Sequence, residues 1–272
     1  MLKKLLFFFL FILIIYMWMS SCSARESESE EDSQKPDISE RDTSHNYEKD
    51  KDSVVFLPLS ADAGQSYIDS FIFLGESTTY HLKSRGVLSG GTNTKQVWAP
   101  KSGTLMLDAS TADCRIIYPE TNEELSLSDA LAQKQPKYLL LTFGLNGAVK
   151  NISRGSQYFK SCYLKLIDAV RKASPSTCVI LQSCFPVAQN MDMSSYTVSV
   201  AQLNKYIDNI NEWTAELAKE NGYPYLNTSE ILKNADGNLK NEFQSGDGYH
   251  LTAKAYKAIL GYIRTHAVSE DN

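Results

Sequence analysis

No two of the five cysteines stand in a C-x-x-C pair, and the four histidines form no ligand-spaced cluster with them. That leaves no sequence basis for a zinc or dithiol redox site, so neither a metal nor another cofactor is expected. No glycine-rich segment carries the lysine of a phosphate loop. The body of the chain has no Lys/Arg block and the net charge is -5, which argues against a nucleic-acid partner. No internal repeat is present. The longest apolar run, Leu5 to Met19, is shorter than the ~20 residues that cross a bilayer as a helix. What remains, 43% hydrophobic and 11% aromatic residues, is the composition of a folded domain rather than a disordered chain.

The N-terminus is strongly biased. Lys3 and Lys4 precede the apolar run, and Ser20-Ser21-Cys22 follows it. A charged start, a short apolar stretch and small residues form a secretory signal. The cysteine after two small residues resembles a bacterial lipoprotein cleavage site, with Met19 where such sites usually have Leu. That resemblance implies a signal peptide over residues 1–22 and Cys22 as the lipidated first residue of the mature chain. An uncleaved membrane anchor is the alternative. Both put the remainder on the extracytoplasmic face of the cell membrane. The segment that follows is rich in Ser, Glu and Asp with almost no large apolar residues. It cannot bury enough surface to offset its ordering entropy. Residues 23–66 are therefore expected to be a flexible acidic tether, and residues 67–272 the folded domain. The remaining cysteines, Cys114, Cys162, Cys178 and Cys184, show no readable pairing. Cys162 and Cys178 lie in apolar patterns and read as small hydrophobes.

Within the domain, Phe71–Leu74, Tyr138–Thr142 and Cys178–Gln182 are short continuous apolar runs, and Tyr223–Leu226 is a weaker one. Such runs fit strands buried on both faces. Helical stripes lie between and after them: Tyr158 to Lys172, Val200 to Glu220, and Thr252 to His266 with Thr252 as N-cap. Strands alternating with helices imply a parallel sheet in an α/β fold. Ligands in such folds sit at the carboxyl ends of the strands.

Three of those edges carry polar residues. The first strand runs through Gly75 and Glu76 into Ser77 at the start of a helix. There the free N–H groups and partial positive charge favour a developing oxyanion, although a serine there also fits a plain cap. Gly144-Leu145-Asn146-Gly147 follows the next strong strand. It offers either a turn or an amide donor. Gly246-Asp247-Gly248-Tyr249-His250 precedes the last helix and sets a carboxylate three residues from an imidazole. An Asp can fix the tautomer of a His that takes a nucleophile's proton. Of the other histidines, His45 lies in the tether, His266 near the C-terminus, and His81 one turn past Ser77 on the same helix.

Gly75-Glu76-Ser77, Gly144-Leu145-Asn146 and Asp247-Gly248-Tyr249-His250, in that order, resemble the three blocks of the GDSL/SGNH hydrolases over roughly Ser70 to Ala267. The resemblance implies a three-layer α/β/α sandwich around a central parallel sheet, flavodoxin-like in plan. It also implies a carboxylic ester hydrolase that works through an acyl-enzyme. Ser77 would be the nucleophile, His250 the base and Asp247 its orienter. The Ser77 N–H, the Asn146 side chain and a glycine N–H from a further block would face the oxyanion. Gly103 is the choice for that glycine, with Gly90 and Gly91 as rivals. Glu76 replaces the family's usual Asp, which keeps the charge but moves it by one methylene. The expected substrate is a small acyl ester or an acylated glycan. The alternatives are a lysophospholipase or thioesterase with the same triad, or a non-catalytic glycan-binding surface lipoprotein.

Overall fold

The computed structural model describes residues 56–269. In chain order the elements are α1 (Gly64–Asp69), β1 (Phe71–Gly75), α2 (Ser77–Ser84), β2 (Val97–Trp98), β3 (Arg115–Ile117), β4 (Glu124–Ser126), α3 (Leu127–Lys134) and β5 (Tyr138–Thr142). They continue with α4 (Ala148–Arg154), α5 (Ser156–Ala173), β6 (Cys178–Gln182), α6 (Val200–Asn221), β7 (Tyr225–Leu226), α7 (Ser229–Leu232) and α8 (Ala253–Thr265). Five strands form a parallel sheet in the order β2-β1-β5-β6-β7. β3 and β4 pair antiparallel as a separate ribbon.

The two faces of the sheet follow from the period-2 alternation of a strand. Ile72 and Leu74 of β1, Leu139 and Leu141 of β5, and Val179 and Leu181 of β6 point to one side. There they meet Phe159, Tyr163, Leu166 and Ile167 of α5 and Leu203, Ile207 and Ile210 of α6. Phe71 and Phe73, Tyr138 and Leu140, and Ile180 point to the other side, against Ile68 of α1, Leu82 of α2 and Tyr256, Ile259 and Ile263 of α8. Both faces are covered, which is why these strands read as unbroken apolar runs. The result is the expected three-layer α/β/α sandwich. Counted along the chain, its parallel strands run 2-1-3-4-5, and the order reverses between β1 and β5, where α/β folds bind ligands.

One boundary is corrected. Residues 56–66, expected to belong to the tether, pack on the domain. Leu57 N–H donates to Tyr225 O, Ser60 N–H to Thr265 O and Ala63 N–H to Arg264 O. Phe56 sets its ring edge-on to Tyr225 at 5.3 Å. The cause is the backbone bonds and the Phe56 ring contact, which join the apolar Phe56-Leu57-Pro58-Leu59 stretch and the residues after it to the domain. Cys22 and residues 23–55 lie outside the described residues. No helix among the described residues is long and apolar enough to cross a membrane. Cys114, Cys162, Cys178 and Cys184 are all free thiols.

Candidate active site

The carboxyl ends of β1 and β5 are drawn together by Gly75. A Cβ there would lie 2.3 Å from Thr142 O and 2.5 Å from Thr79 Oγ1, so only glycine allows this approach. Glu76 follows in extended conformation, and α2 begins at Ser77. The N–H groups of Thr79 and Tyr80 already bond Glu76 O. The N–H groups of Ser77 and Thr78 thus stand at the open end of the first turn, without an intrahelical acceptor.

The third block sits on a loop fixed from both sides. Ala188 N–H donates to Gly248 O (2.7 Å), Ser245 N–H to His250 O (2.8 Å), and Thr252 N–H to Phe243 O (2.8 Å). Gly248 has φ +87°, and a Cβ there would meet Met191 Cα at 2.6 Å. Thr252 caps α8 by accepting from Ala255 N–H. Two bonds tie this region to α2: Arg85 Nε donates to Leu251 O (3.1 Å) and Tyr256 OH to Thr78 O (2.5 Å).

These constraints bring three of the expected site residues together. His250 Nε2 lies 3.0 Å from Ser77 Oγ, across 173 residues of chain. His250 Nδ1 lies 2.7 Å from Asp247 Oδ2. Asp247 Oδ1 accepts from the N–H groups of Tyr249 (3.1 Å) and His250 (2.9 Å). Burial raises the Asp247 carboxyl, but those bonds together with the imidazole outweigh it and hold the group below its ordinary value. An ionised Asp247 accepts from Nδ1–H, which leaves Nε2 free to accept a proton from the Ser77 hydroxyl it faces.

Glu76 does what its family position alone did not reveal. It is 2% exposed, and its carboxylate accepts three backbone N–H bonds from the Gly144 loop: Gly144 (2.9 Å), Leu145 (3.1 Å) and Asn146 (3.0 Å). The extra methylene lets the side chain reach across from β1 and hold that loop beside Ser77. Burial, with no basic side chain to offset it, pushes the carboxyl up to about 7 against the pull of the three N–H donors.

Two of the expected oxyanion donors, Gly103 and Asn146, are engaged with other acceptors. Gly103 N–H donates to Pro100 O at 2.9 Å and closes a turn, so it cannot also face an oxyanion. Its rival Gly91 likewise donates to Leu88 O, and Gly90 opens a one-turn helix beside Thr94. Asn146 is carried into the site by Glu76, but both amide protons are engaged, with Thr104 Oγ1 (2.8 Å) and Leu105 O (2.9 Å). Donation to an oxyanion therefore requires that one of these bonds be exchanged.

Two residues with no expected role touch the site. The ring of His81 stacks on that of His250, with centroids 4.1 Å apart and planes 30° apart. Tyr249 also approaches the His250 ring, at 4.1 Å. The spacing of His81, four residues after Ser77, was the available signal, because i and i+4 share a helix face. Among the described residues no group of three His, Cys, Asp or Glu side chains is placed to hold a metal ion.

A family model described as GDSL-like lipase/acylhydrolase matches residues 73–258, well over half of the chain. The chain belongs to the GDSL-like lipase/acylhydrolase family. Solved structures similar to it are found at low identity. One is a proposed lipolytic protein of the G-D-S-L family from Desulfitobacterium hafniense DCB-2 (20% identity, 72% of this chain and 98% of that one, TM-score 0.47). Another is a GDSL-like lipase from Bacteroides thetaiotaomicron (19% identity, 50% and 68%, TM-score 0.39). A third is a carbohydrate esterase of family 3 from Talaromyces cellulolyticus (16% identity, 71% and 93%, TM-score 0.44). No curated protein matches the chain. Membership in the GDSL family makes the chain an acyl ester hydrolase in broad class.

Proposed function

We propose that this GDSL-family protein is an extracellular serine esterase that hydrolyses short acyl esters, acetylated carbohydrate among them, through a Ser77 acyl-enzyme. One observation carries the reading: the continuous line from Asp247 through His250 to Ser77, with contacts of 2.7 and 3.0 Å. Ser77 Oγ attacks the acyl carbon while His250 Nε2 takes its proton, and the carbonyl electrons move onto oxygen. The Ser77 N–H and the Asn146 amide receive that oxyanion. The intermediate collapses, the C–O bond to the alcohol breaks, and His250 returns the proton to the departing alcohol. Water, deprotonated by His250, then releases the acid and regenerates Ser77.

A short acyl group suits a site open at its rim. The Asp247 side chain is 42% exposed and that of His250 15%. A cavity of about 520 Å³ lies beside Asn146, lined in part by Leu145, Gly147, Tyr196 and Leu203. Export and anchoring through acylated Cys22 complete the proposal and rest on the pattern of residues 3–22.

The test is hydrolysis of chromogenic acetate, butyrate, octanoate and laurate esters, with the intact mass of the mature chain read alongside. Fastest turnover of acetate is expected, together with a mass that starts at a lipidated Cys22. Fastest turnover of laurate would replace this reading with that of a lysophospholipase. No turnover of any ester would leave only a binding role.

Asn146→Ala is expected to lower kcat by about 10²-fold with a smaller change in KM, the loss typical of a missing oxyanion donor. Steady-state kinetics on the acetate ester measure it. A change confined to KM would remove Asn146 from the oxyanion site.

A further inference from the structure

His81 sits on α2 one turn after Ser77, so the nucleophile and the ring under the base ride on one rigid element. Its Nδ1 is shut off from solvent and has no hydrogen-bond partner. A protonated ring would bury an unpaired N–H there, so the position suits a neutral imidazole. Three charged or titratable groups bear on His81: His250, stacked on it; Arg85, just past the end of α2; and Asp247 in the facing loop. Burial first, then His250 and Arg85, lower its pKa to about 4, and Asp247 opposes them weakly.

We propose that His81 is a positioning residue for His250: its neutral ring stacks on the imidazole and holds Nε2 toward Ser77 and Nδ1 toward Asp247. The same face supports the positive charge that His250 gains when it takes the Ser77 proton. A flat neutral ring attracts a cation over its face, whereas a second cation there would repel it. Without the stack, the imidazole keeps its Nδ1 contact to Asp247 and its neighbour Tyr249 but loses the ring on α2 that fixes its tilt, and the 3.0 Å approach to Ser77 is less tightly held.

The inference rests on the assignment of Ser77 and His250, so the experiment reads both. The full chain is treated with a fluorophosphonate, and the rate of Ser77 labelling is followed in the wild type, Ser77→Ala, His81→Ala, His81→Gln and His81→Phe. In parallel, kcat, KM and thermal midpoint are measured on the acetate ester. The wild type labels at Ser77 and Ser77→Ala does not. His81→Ala and His81→Gln lower the labelling rate and kcat roughly 10-fold with KM little changed, a loss of alignment rather than of binding. His81→Phe, which keeps the flat ring without a titrating group, recovers most of that loss. If His81→Ala fails to fold, the Gln and Phe pair carries the same comparison. Wild-type labelling rates in His81→Ala or His81→Gln would overturn the inference while leaving the nucleophile assignment intact. So would a Phe variant as slow as the Gln variant, or losses confined to the thermal midpoint. An unlabelled wild type would instead overturn the assignment of Ser77, and this inference with it.

Discussion

Ser77→Ala is expected to lower kcat/KM on an acetate ester by about 10³-fold or more, with the thermal midpoint almost unmoved. Ser77 is half-buried at the rim, and its hydroxyl meets His250 Nε2, so its loss costs the fold little. In the proposed mechanism, its loss removes the atom that forms the acyl-enzyme. His250→Ala is expected to cost nearly as much, and the double variant no more than either single one. A nucleophile without its base and a base without its nucleophile are equally idle. Additive losses in that cycle would mean that the two residues act separately, contrary to the 3.0 Å contact between them.

Glu76→Ala carries the largest expected effect on stability. It leaves the N–H groups of Gly144, Leu145 and Asn146 without their acceptor in a buried site. Each orphaned donor costs about 1–3 kcal/mol, so a loss of roughly 3 kcal/mol or more is expected. For a folded unit of this size that lowers the thermal midpoint by roughly 6–12 °C. Glu76→Asp restores the family's usual residue but withdraws the carboxylate by one methylene. An intermediate loss is expected, because the bonds lengthen without vanishing. The pH dependence has a definite sign. The folded-state pKa, about 7, is raised above the ordinary 4.5. The native protein therefore binds a proton here that the unfolded chain releases between those values. This contribution to stability is fully present below about pH 4.5 and is lost as pH rises through about 7. In Glu76→Gln that slope should vanish from the stability profile, as urea unfolding at pH 5, 6, 7 and 8 would measure. An unchanged slope would mean that Glu76 does not titrate in this window.

How much of this was readable in advance depended on the range of the interaction. β1, β5 and β6 were legible because a strand covered on both faces is a continuous apolar run. Helices α5, α6 and α8 fell within two residues of the spans their stripes predicted. β2 has two residues, and β3 and β4 three each, too short for any period to register. Asp247 and His250 were legible as a pair because they share one loop. The contact of His250 with Ser77 spans 173 residues and could be anticipated only from the chain order of the family's blocks. The three bonds from Glu76 span 68–70 residues. Nothing local marks a carboxylate as the acceptor for a distant loop. The Gly103 expectation failed for a related reason: glycine count and position say nothing about whether an N–H is already spent on a turn.

The proposed mechanism depends on Ser77 becoming covalently modified with the help of His250. The most direct measurement is peptide mapping by mass spectrometry of the wild type and His250→Ala after brief exposure to a fluorophosphonate. The expected result is one adduct, on Ser77, in the wild type, and almost none in the variant over the same interval. An adduct on a different residue, no adduct in the wild type, or equal labelling of Ser77 without His250 would contradict the account.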